Sequence, residues 1–213
     1  MRVIAIPVKS LSRTKSRLGS ELSPLERGAL TLAMLEDVLD ATAAVPGWET
    51  WVISPDEVVL EIAARREVRP VPEAKPPLSS AVRQAEALSL EEEATALAII
   101  PGDLPLITPD ALAQGLRTLG PVVLVRSTGE GTNLLLRRPP RSIPARFGPD
   151  SFRRHLTLAE LRGLPASVVE RPELSFDVDL PSDILTVLAS ERRGRTLEVC
   201  LEMDLAERLK VHA

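Results

Sequence analysis

The chain has 213 residues, 44% hydrophobic and 26% charged, enough apolar material to bury a sizeable core in one large domain or two small ones. Twenty-six Lys and Arg against 30 Asp and Glu leave a formal charge of −4, which argues against a protein that coats nucleic acid or an anionic membrane, and two Trp, three Phe and no Tyr leave little to stack on single strands. One Cys cannot make an internal disulfide, no Cys/His set has zinc spacing, and the apolar runs Val3 to Val8 and Ala96 to Pro101 fall far short of the ~20 residues of a membrane span; with no leader pattern ahead of them, the expected home is a reduced cytoplasm.

Arg2 to Val8 has the continuous Val/Ile character of a strand buried on both faces, and it is expected to be central in its sheet. Ser23-Pro24-Leu25-Glu26 reads as a capping box with Pro at the first helical position, and Leu25, Leu32, Leu35 and Leu39 continue a helix to Pro46-Gly47. Glu49 to Ser54 predicts a second strand, and Ser54-Pro55-Asp56-Glu57 repeats the cap before a helix burying Val58, Ile62 and Leu60. Val68 to Val71 is a weak third strand, and the prolines of Val71 to Pro77 make a loop before a helix capped by Ser79 or Ser80 and ending near Leu90. Thr95 to Ile100 is the most strand-like run, broken by Pro101-Gly102-Asp103-Leu104-Pro105-Leu106, with Thr108-Pro109-Asp110 starting the next helix.

A βαβα rhythm puts the chain in the α/β class. Beyond it, Val122 to Arg126 and Asn133 to Arg137 predict two strands joined by Ser127 to Thr132, and Asp150 to Leu161 a helix stopped by Gly163. Val168-Val169 and Ser175 to Val178 predict short strands, and Pro181-Ser182-Asp183 a helix to about Ser190. From Thr196 to Val211, Leu197, Leu201, Leu205 and Leu209 lie on one helical face, the pattern of a docked or dimerising tail, so that residues 1–195 form the domain and 196–213 a helical tail.

Two of only four lysines, Lys9 and Lys15, fall with Arg13 and Arg17 in nine residues after the first strand, among hydroxyls at Ser10, Ser12, Thr14 and Ser16. That composition suits a cradle for several phosphate oxygens, although the Gly-rich spacing of a Walker loop is absent and a solvated basic loop is the other reading. Asp103, at the carboxyl end of a strand where open α/β sheets bind ligands, stands in an apolar turn with no local ion partner; main-chain N–H groups of the turn are the structural alternative. Strand alternation would put Asp177 and Asp179 on one face, where a divalent cation relieves their repulsion. Asp103 and Asp179 together could hold Mg²⁺, which prefers few carboxylates plus phosphate oxygens and water. Asp183 fits an acidic first helical turn. Gly131 and Gly148 allow backbone to approach a ligand closely, and Thr132 and Ser151 add hydroxyls near a helix N-terminus, a combination suited to a small carboxylate; a plain hairpin turn explains Gly129 and Gly131 equally well. His155, one turn after Ser151, reads as a helix-surface structural residue.

In order, Pro7-Val8-Lys9 with Lys15-Ser16-Arg17-Leu18, Met34 to Leu39, Pro101 to Leu106, Gly131-Thr132-Asn133, Arg146 to Phe152, His155 and Asp177-Val178-Asp179 resemble the CofC family, the guanylyltransferases of coenzyme F-420 biosynthesis that act on 2-phospholactate or phosphoenolpyruvate. The resemblance implies a single-domain nucleotidyltransferase, glycosyltransferase-A-like α/β fold with a mixed, mostly parallel sheet flanked by helices. It implies attack by a substrate phosphate on the α-phosphorus of GTP with release of pyrophosphate. It implies Asp103, Lys15 and Lys9 as catalytic groups; Lys9, Lys15, Arg17 and Ser79 as nucleotide contacts; Thr132, Gly148 and Ser151 as the phospho-acid site; and Asp103, Asp179 and Asp177 as Mg²⁺ ligands. Leu180 and Ser79 depart from the family's Asp-Thr-Pro and Leu-Asn-x-Ala patterns. Its partners would be the small substrates and a downstream enzyme taking a labile product, with a homodimer possible and neither nucleic acid nor membrane. A molybdenum-cofactor type guanylyltransferase and a non-catalytic nucleotide sensor are the competing readings.

Overall fold

Among the described residues, β1 (Arg2–Pro7), β2 (Glu49–Ser54), β3 (Arg69–Pro72), β4 (Ala96–Ile99), β5 (Val122–Arg126), β6 (Thr132–Arg137) and β7 (Ala166–Val168) form one sheet in the order β3-β2-β1-β4-β6-β5-β7. The computed structural model describes residues 1–73 and 78–210, without the side chains of residues 78, 79 and 210; Ser79 as a nucleotide contact, and the loop expected over Val71 to Pro77 from residue 74 onward, lie outside the described residues. β6 alone runs against its neighbours: β1 pairs in parallel with β2 and β4, β2 with β3 and β5 with β7, whereas β6 is antiparallel to both β4 and β5. That reversal brings the start of β6 to the edge where the parallel strands end.

Side-chain alternation divides the core. Ile4, Ile6, Val52, Ala98, Val123 and Leu136 face one way. They meet Leu35, Val38 and Leu39 of α1 (Pro24–Ala43), Val59 and Ala63 of α2 (Glu57–Arg65) and Leu112 and Leu116 of the helix Pro109–Arg117. On the other face Val3, Ala5, Trp51, Ile53, Leu97 and Ile99 meet Ala81, Val82 and Ala85 of α3 (Leu78–Glu91); Val122, Leu124 and Leu135 meet Ala159 of α5 (Ser151–Leu161), Pro109–Arg117 being α4. A third layer lies outside α1: α6 (Pro172–Ser175) is followed by α7 (Pro181–Ala189), α8 (Arg195–Glu202) and α9 (Leu205–Lys210), and Ile184, Val187, Cys200, Leu205 and Leu209 pack on Leu30 and Met34. α1 therefore has apolar neighbours on two sides, which is why its buried residues run all round it.

Several expectations are corrected. Leu25 is 83% exposed, because the core-facing stripe of α1 runs through Leu35, Val38 and Leu39 and misses the first turn. α2 turns Val59 and Ala63 into the core with Ile62 packed beside them, leaving Val58 exposed, and it is capped by Asp56 rather than Ser54, the Asp56 carboxylate accepting from Val58 N at 3.2 Å. β3 runs through Pro70 and Pro72, tolerated because it is an edge strand paired only with β2. Ser175 to Val178 is not a strand: Pro172–Ser175 is helical, and the chain then crosses the sheet edge in extended loop form. The single amphipathic tail is two helices, broken at Asp204 (φ 53°), so that Leu197, Leu205 and Leu209 are buried but Leu201 is 54% exposed.

Asp37, inside α1 and 1% exposed, accepts from the main-chain N–H groups of Arg195 (2.7 Å) and Thr196 (2.9 Å) and from the Thr196 hydroxyl, capping α8 from another helix. A Cβ at Gly194 would stand 2.4 Å from Asp37 Oδ1, so this cap requires glycine there. No described helix is long and apolar enough to cross a membrane.

Candidate functional site

The carboxyl edge of the sheet collects the loop after β1, the turn after β4, the start of β6 and the segment before α7. The basic loop is tethered at intervals. Leu11 N donates to Asp56 Oδ2 at 3.0 Å, the Thr14 and Thr31 hydroxyls meet at 3.1 Å, and Leu18 is fully buried. Thus the cap of α2 also ties down the loop, a double use of Asp56 that no local pattern announces. Between these anchors Lys15 takes the left-handed conformation (φ 47°), uncommon for a lysine and held only where the surroundings dictate it.

The result is an ammonium aimed into the site. Lys15 Nζ lies 2.5 Å from Asp103 Oδ2 and 3.4 Å from Asp179 Oδ1 and also donates to the Val178 carbonyl; its side chain is 6% exposed. Asp103 therefore has its ion partner 88 positions away, not among its neighbours in the turn. Burial by itself would lower the Lys15 pKa, but the Asp103 and then the Asp179 carboxylates outweigh it and hold the ammonium above its ordinary value. A cavity of about 380 Å³ opens here, lined by Lys9, Arg13, Lys15, Ser16, Arg17, Gly102, Asp103 and Asp179. Lys9 and Arg17 are exposed at its rim, and Arg17 reaches Asp179 at 3.4 Å. Val178 N donates to the Asp103 carbonyl at 3.3 Å, and Asp183 accepts from Asp179 N (2.8 Å) and Leu180 N (2.7 Å), so the loop carrying Asp179 is stitched to the sheet edge and to α7.

The point on which Asp103, Asp179 and the Val178 carbonyl converge accepts a cation, since an ammonium sits on it. The donors are all hard oxygens, which fits Mg²⁺ as well as a lysine. Asp177 adjoins but is held separately: Asn133 Nδ2 donates to its Oδ1 at 3.2 Å and to the Ser175 carbonyl at 3.0 Å. Burial and the Asp103 charge push its carboxyl up to about 6. Because residues 175–179 are not a strand, the expected strand face of Asp177 and Asp179 does not form; the carboxylates that converge on Lys15 Nζ are Asp103 and Asp179, with Asp177 beside them.

The second half of the edge is neutral. Thr132 and Ser151, 19 positions apart and both buried, bring their hydroxyls to 3.0 Å. A bulge explains the encounter: Val125 pairs with Leu134 but Arg126 pairs with Thr132, so Asn133 is the extra residue in β6. It turns Thr132 toward α5 while Asn133 reaches Asp177. Ser151 is the first residue of α5, behind Asp150, whose side chain makes no capping hydrogen bond, and Gly148 (φ 109°) makes the tight turn before it. His155 is fully buried, correcting the surface reading: Arg146 N donates to its Nε2 at 2.8 Å and its Nδ1 lies 3.1 Å from Thr132 Oγ1. Ser127 Oγ accepts from Gly129 N and Gly131 N, so the hairpin reading of those glycines holds.

Comparison of the whole chain with known proteins gives its family. The family model described as "Guanylyl transferase CofC like" matches residues 1–203. A phosphoenolpyruvate guanylyltransferase of Rubrobacter xylanophilus is 40% identical, the alignment covering 89% of this chain and 95% of that protein. A 3-phospho-D-glycerate guanylyltransferase of Phenylobacterium zucineum is 36% identical over 89% of this chain and 90% of its own. Among solved structures, a nucleotidyl transferase from Methanothermobacter superimposes with a TM-score of 0.65 at 19% identity, covering 87% of this chain and 95% of that one, a likeness of fold. The chain belongs to the CofC-like guanylyl transferase family and is a guanylyltransferase with the single-domain α/β nucleotidyltransferase fold.

Proposed function

We propose that this guanylyltransferase transfers GMP from GTP to the phosphate of a three-carbon phospho-acid, phosphoenolpyruvate or 2-phospho-L-lactate, with release of pyrophosphate, as a step of coenzyme F-420 biosynthesis. One observation carries the reading: a single sheet edge sets a cation-rich cavity with two converging carboxylates beside a buried, uncharged hydroxyl pair. The first suits a triphosphate, the second a small carboxylate that must be told apart from phosphate. A phosphate oxygen of the acceptor forms the new bond to the α-phosphorus as the bond to pyrophosphate breaks.

Lys9, Lys15 and Arg17 neutralise the triphosphate and Lys15 follows charge into the transition state; no side-chain nucleophile is required. Asp103 and Asp179, with Asp177 beside them, would hold Mg²⁺, which when bound supplies charge neutralisation to phosphate oxygens. Thr132, Ser151 and the Gly148 main chain hold the acceptor's carboxylate. Phosphoenolpyruvate is favoured as acceptor, by analogy with the 40% identical relative. A molybdenum-cofactor type of guanylyltransferase would open with a Gly-rich loop, whereas Pro7 to Leu18 holds no glycine; a non-catalytic sensor would have no need of the Asp103–Asp179 pair.

The test is a matrix of phosphoenolpyruvate, 2-phospholactate and 3-phosphoglycerate against the four nucleoside triphosphates, read as pyrophosphate release with magnesium and coupled to the next pathway enzyme. Release with GTP and one of the first two acids is expected. Release that requires 3-phosphoglycerate, or none with any acid, overturns the reading.

A further inference from the structure

The hydroxyl pair poses a proton-counting problem. Thr132 and Ser151 carry two hydroxyl protons between them, and their 3.0 Å contact uses one. A carboxylate only accepts, so the pair can hold one only if the second proton is left to point outward. The third member of the contact, His155 Nδ1 at 3.1 Å from Thr132 Oγ1, decides whether it is.

Were Nδ1 the acceptor, it would consume the second proton and the pair would meet an incoming carboxylate with lone pairs alone. The opposite tautomer is imposed from the far side of the ring. Arg146 N donates to Nε2 at 2.8 Å, which occupies that lone pair and leaves the ring proton on Nδ1. Burial, with the charges of Arg137, Arg154 and Arg146, pushes the imidazole down to about 4, so the ring is neutral at neutral pH and carries one proton. The same ring packs edge-on to Phe147, with centroids 5.4 Å apart, and so seats the loop that bears Gly148.

We propose that His155 is a positioning residue for the acceptor: its Nδ1 proton, fixed by the Arg146 main-chain N–H on Nε2, turns the Thr132–Ser151 pair into a net hydrogen-bond donor toward the acceptor's carboxylate. This rests on the assignment of Thr132 and Ser151 to that carboxylate. The imidazole touches neither nucleotide nor reacting atoms. It sets the donor direction of the hydroxyl pair, which favours a ligand group that only accepts.

The side-chain amide of asparagine can place its N–H where Nδ1 stands, whereas glutamine reaches the Nε2 position and leaves Thr132 without the donor. In the full-length protein, with phosphoenolpyruvate and GTP, His155→Gln is expected to raise the KM for phosphoenolpyruvate about tenfold or more with the KM for GTP unchanged. His155→Asn should restore it to within about threefold, at a melting temperature no higher than that of the glutamine variant. A long-range proton–nitrogen correlation spectrum of the wild type should show Nδ1 protonated and Nε2 bare. Equal KM increases in both variants tracking lost stability, no increase in His155→Gln, or a proton on Nε2 each overturn the proposal. Thr132→Val separates the two levels: if it leaves the phosphoenolpyruvate KM unmoved, the carboxylate site itself is wrong. If it raises that KM while His155→Gln does not, the site stands and only the role of His155 falls.

Discussion

The two halves of the sheet edge are built on different physics. At the cavity, Lys15, Asp103, Asp179 and Arg17 are long or charged groups joined by ion pairs, and Arg17 and Asp179 are half or more exposed, where such a pair contributes little to stability. At the hydroxyl pair, Thr132, Ser151 and His155 are short or rigid, each no more than 5% exposed, and every polar atom has a partner. The charged half can exchange one cation for another as phosphates arrive and leave. The neutral half is set before the substrate comes, because a buried hydrogen-bond network cannot rearrange cheaply. Turnover should therefore be most sensitive at the first and acceptor selection at the second.

Asp103→Asn tests the division most severely. It keeps shape and removes charge, so pyrophosphate release should fall by about 10²-fold or more in a chain that still folds, with a lower melting temperature because the buried Lys15 ammonium loses its nearest counter-charge. Turnover within a few fold of wild type at saturating magnesium would end the distinction. On the neutral side, Thr132→Val and Ser151→Ala should each raise the acceptor KM roughly ten- to hundredfold while the GTP KM holds, since each removes a contact to a charged group. If both variants instead lowered the melting temperature with unchanged kinetics, the hydroxyls would only shape the hairpin and the start of α5.

A smaller effect sharpens the same comparison through pH. The native pKa of His155, about 4, lies below the ordinary 6.5, so the unfolded chain takes up the proton first. The contribution of the neutral imidazole is complete above pH 6.5 and is lost progressively as pH falls toward 4. At pH 5.5 the loss should be about 1 kcal/mol in denaturant unfolding, and His155→Asn should lack that part of the slope. Parallel pH curves for the two proteins would show that the ring titrates normally and that the neutral half is less sealed than its burial indicates.

Much of the frame was readable from short-range pattern. Hydrophobic runs located β1, β2, β4 and β5, and Ser23 and Thr108 marked the starts of α1 and α4 through their caps. Failures came where phase or context decided. Packing against the sheet turned Val59 and Ala63 of α2 inward instead of Val58, proline survived in β3 only because that strand lies on an edge, and a break at Asp204 split the tail. The His155 reading failed for a related reason: one face of α5 is covered by the sheet, and a single histidine carries no periodic signal of which face it occupies.

For the site, composition and spacing by themselves identified the candidate groups: the lysines and arginines after β1, Asp103 in its apolar turn, the carboxylates near residue 179, and the hydroxyls beside Gly131 and Gly148. Those choices follow from local chemistry, since charge, donor type and conformational freedom belong to residues one at a time. Only tertiary structure could join Lys15 to Asp103 across 88 positions, cap α8 with Asp37 from inside α1, and turn Thr132 onto Ser151 and His155 through a bulge at Asn133. Each of these depends on where separate strands end in one sheet and on a ladder slipping by one residue, and a chain read in one dimension carries neither quantity.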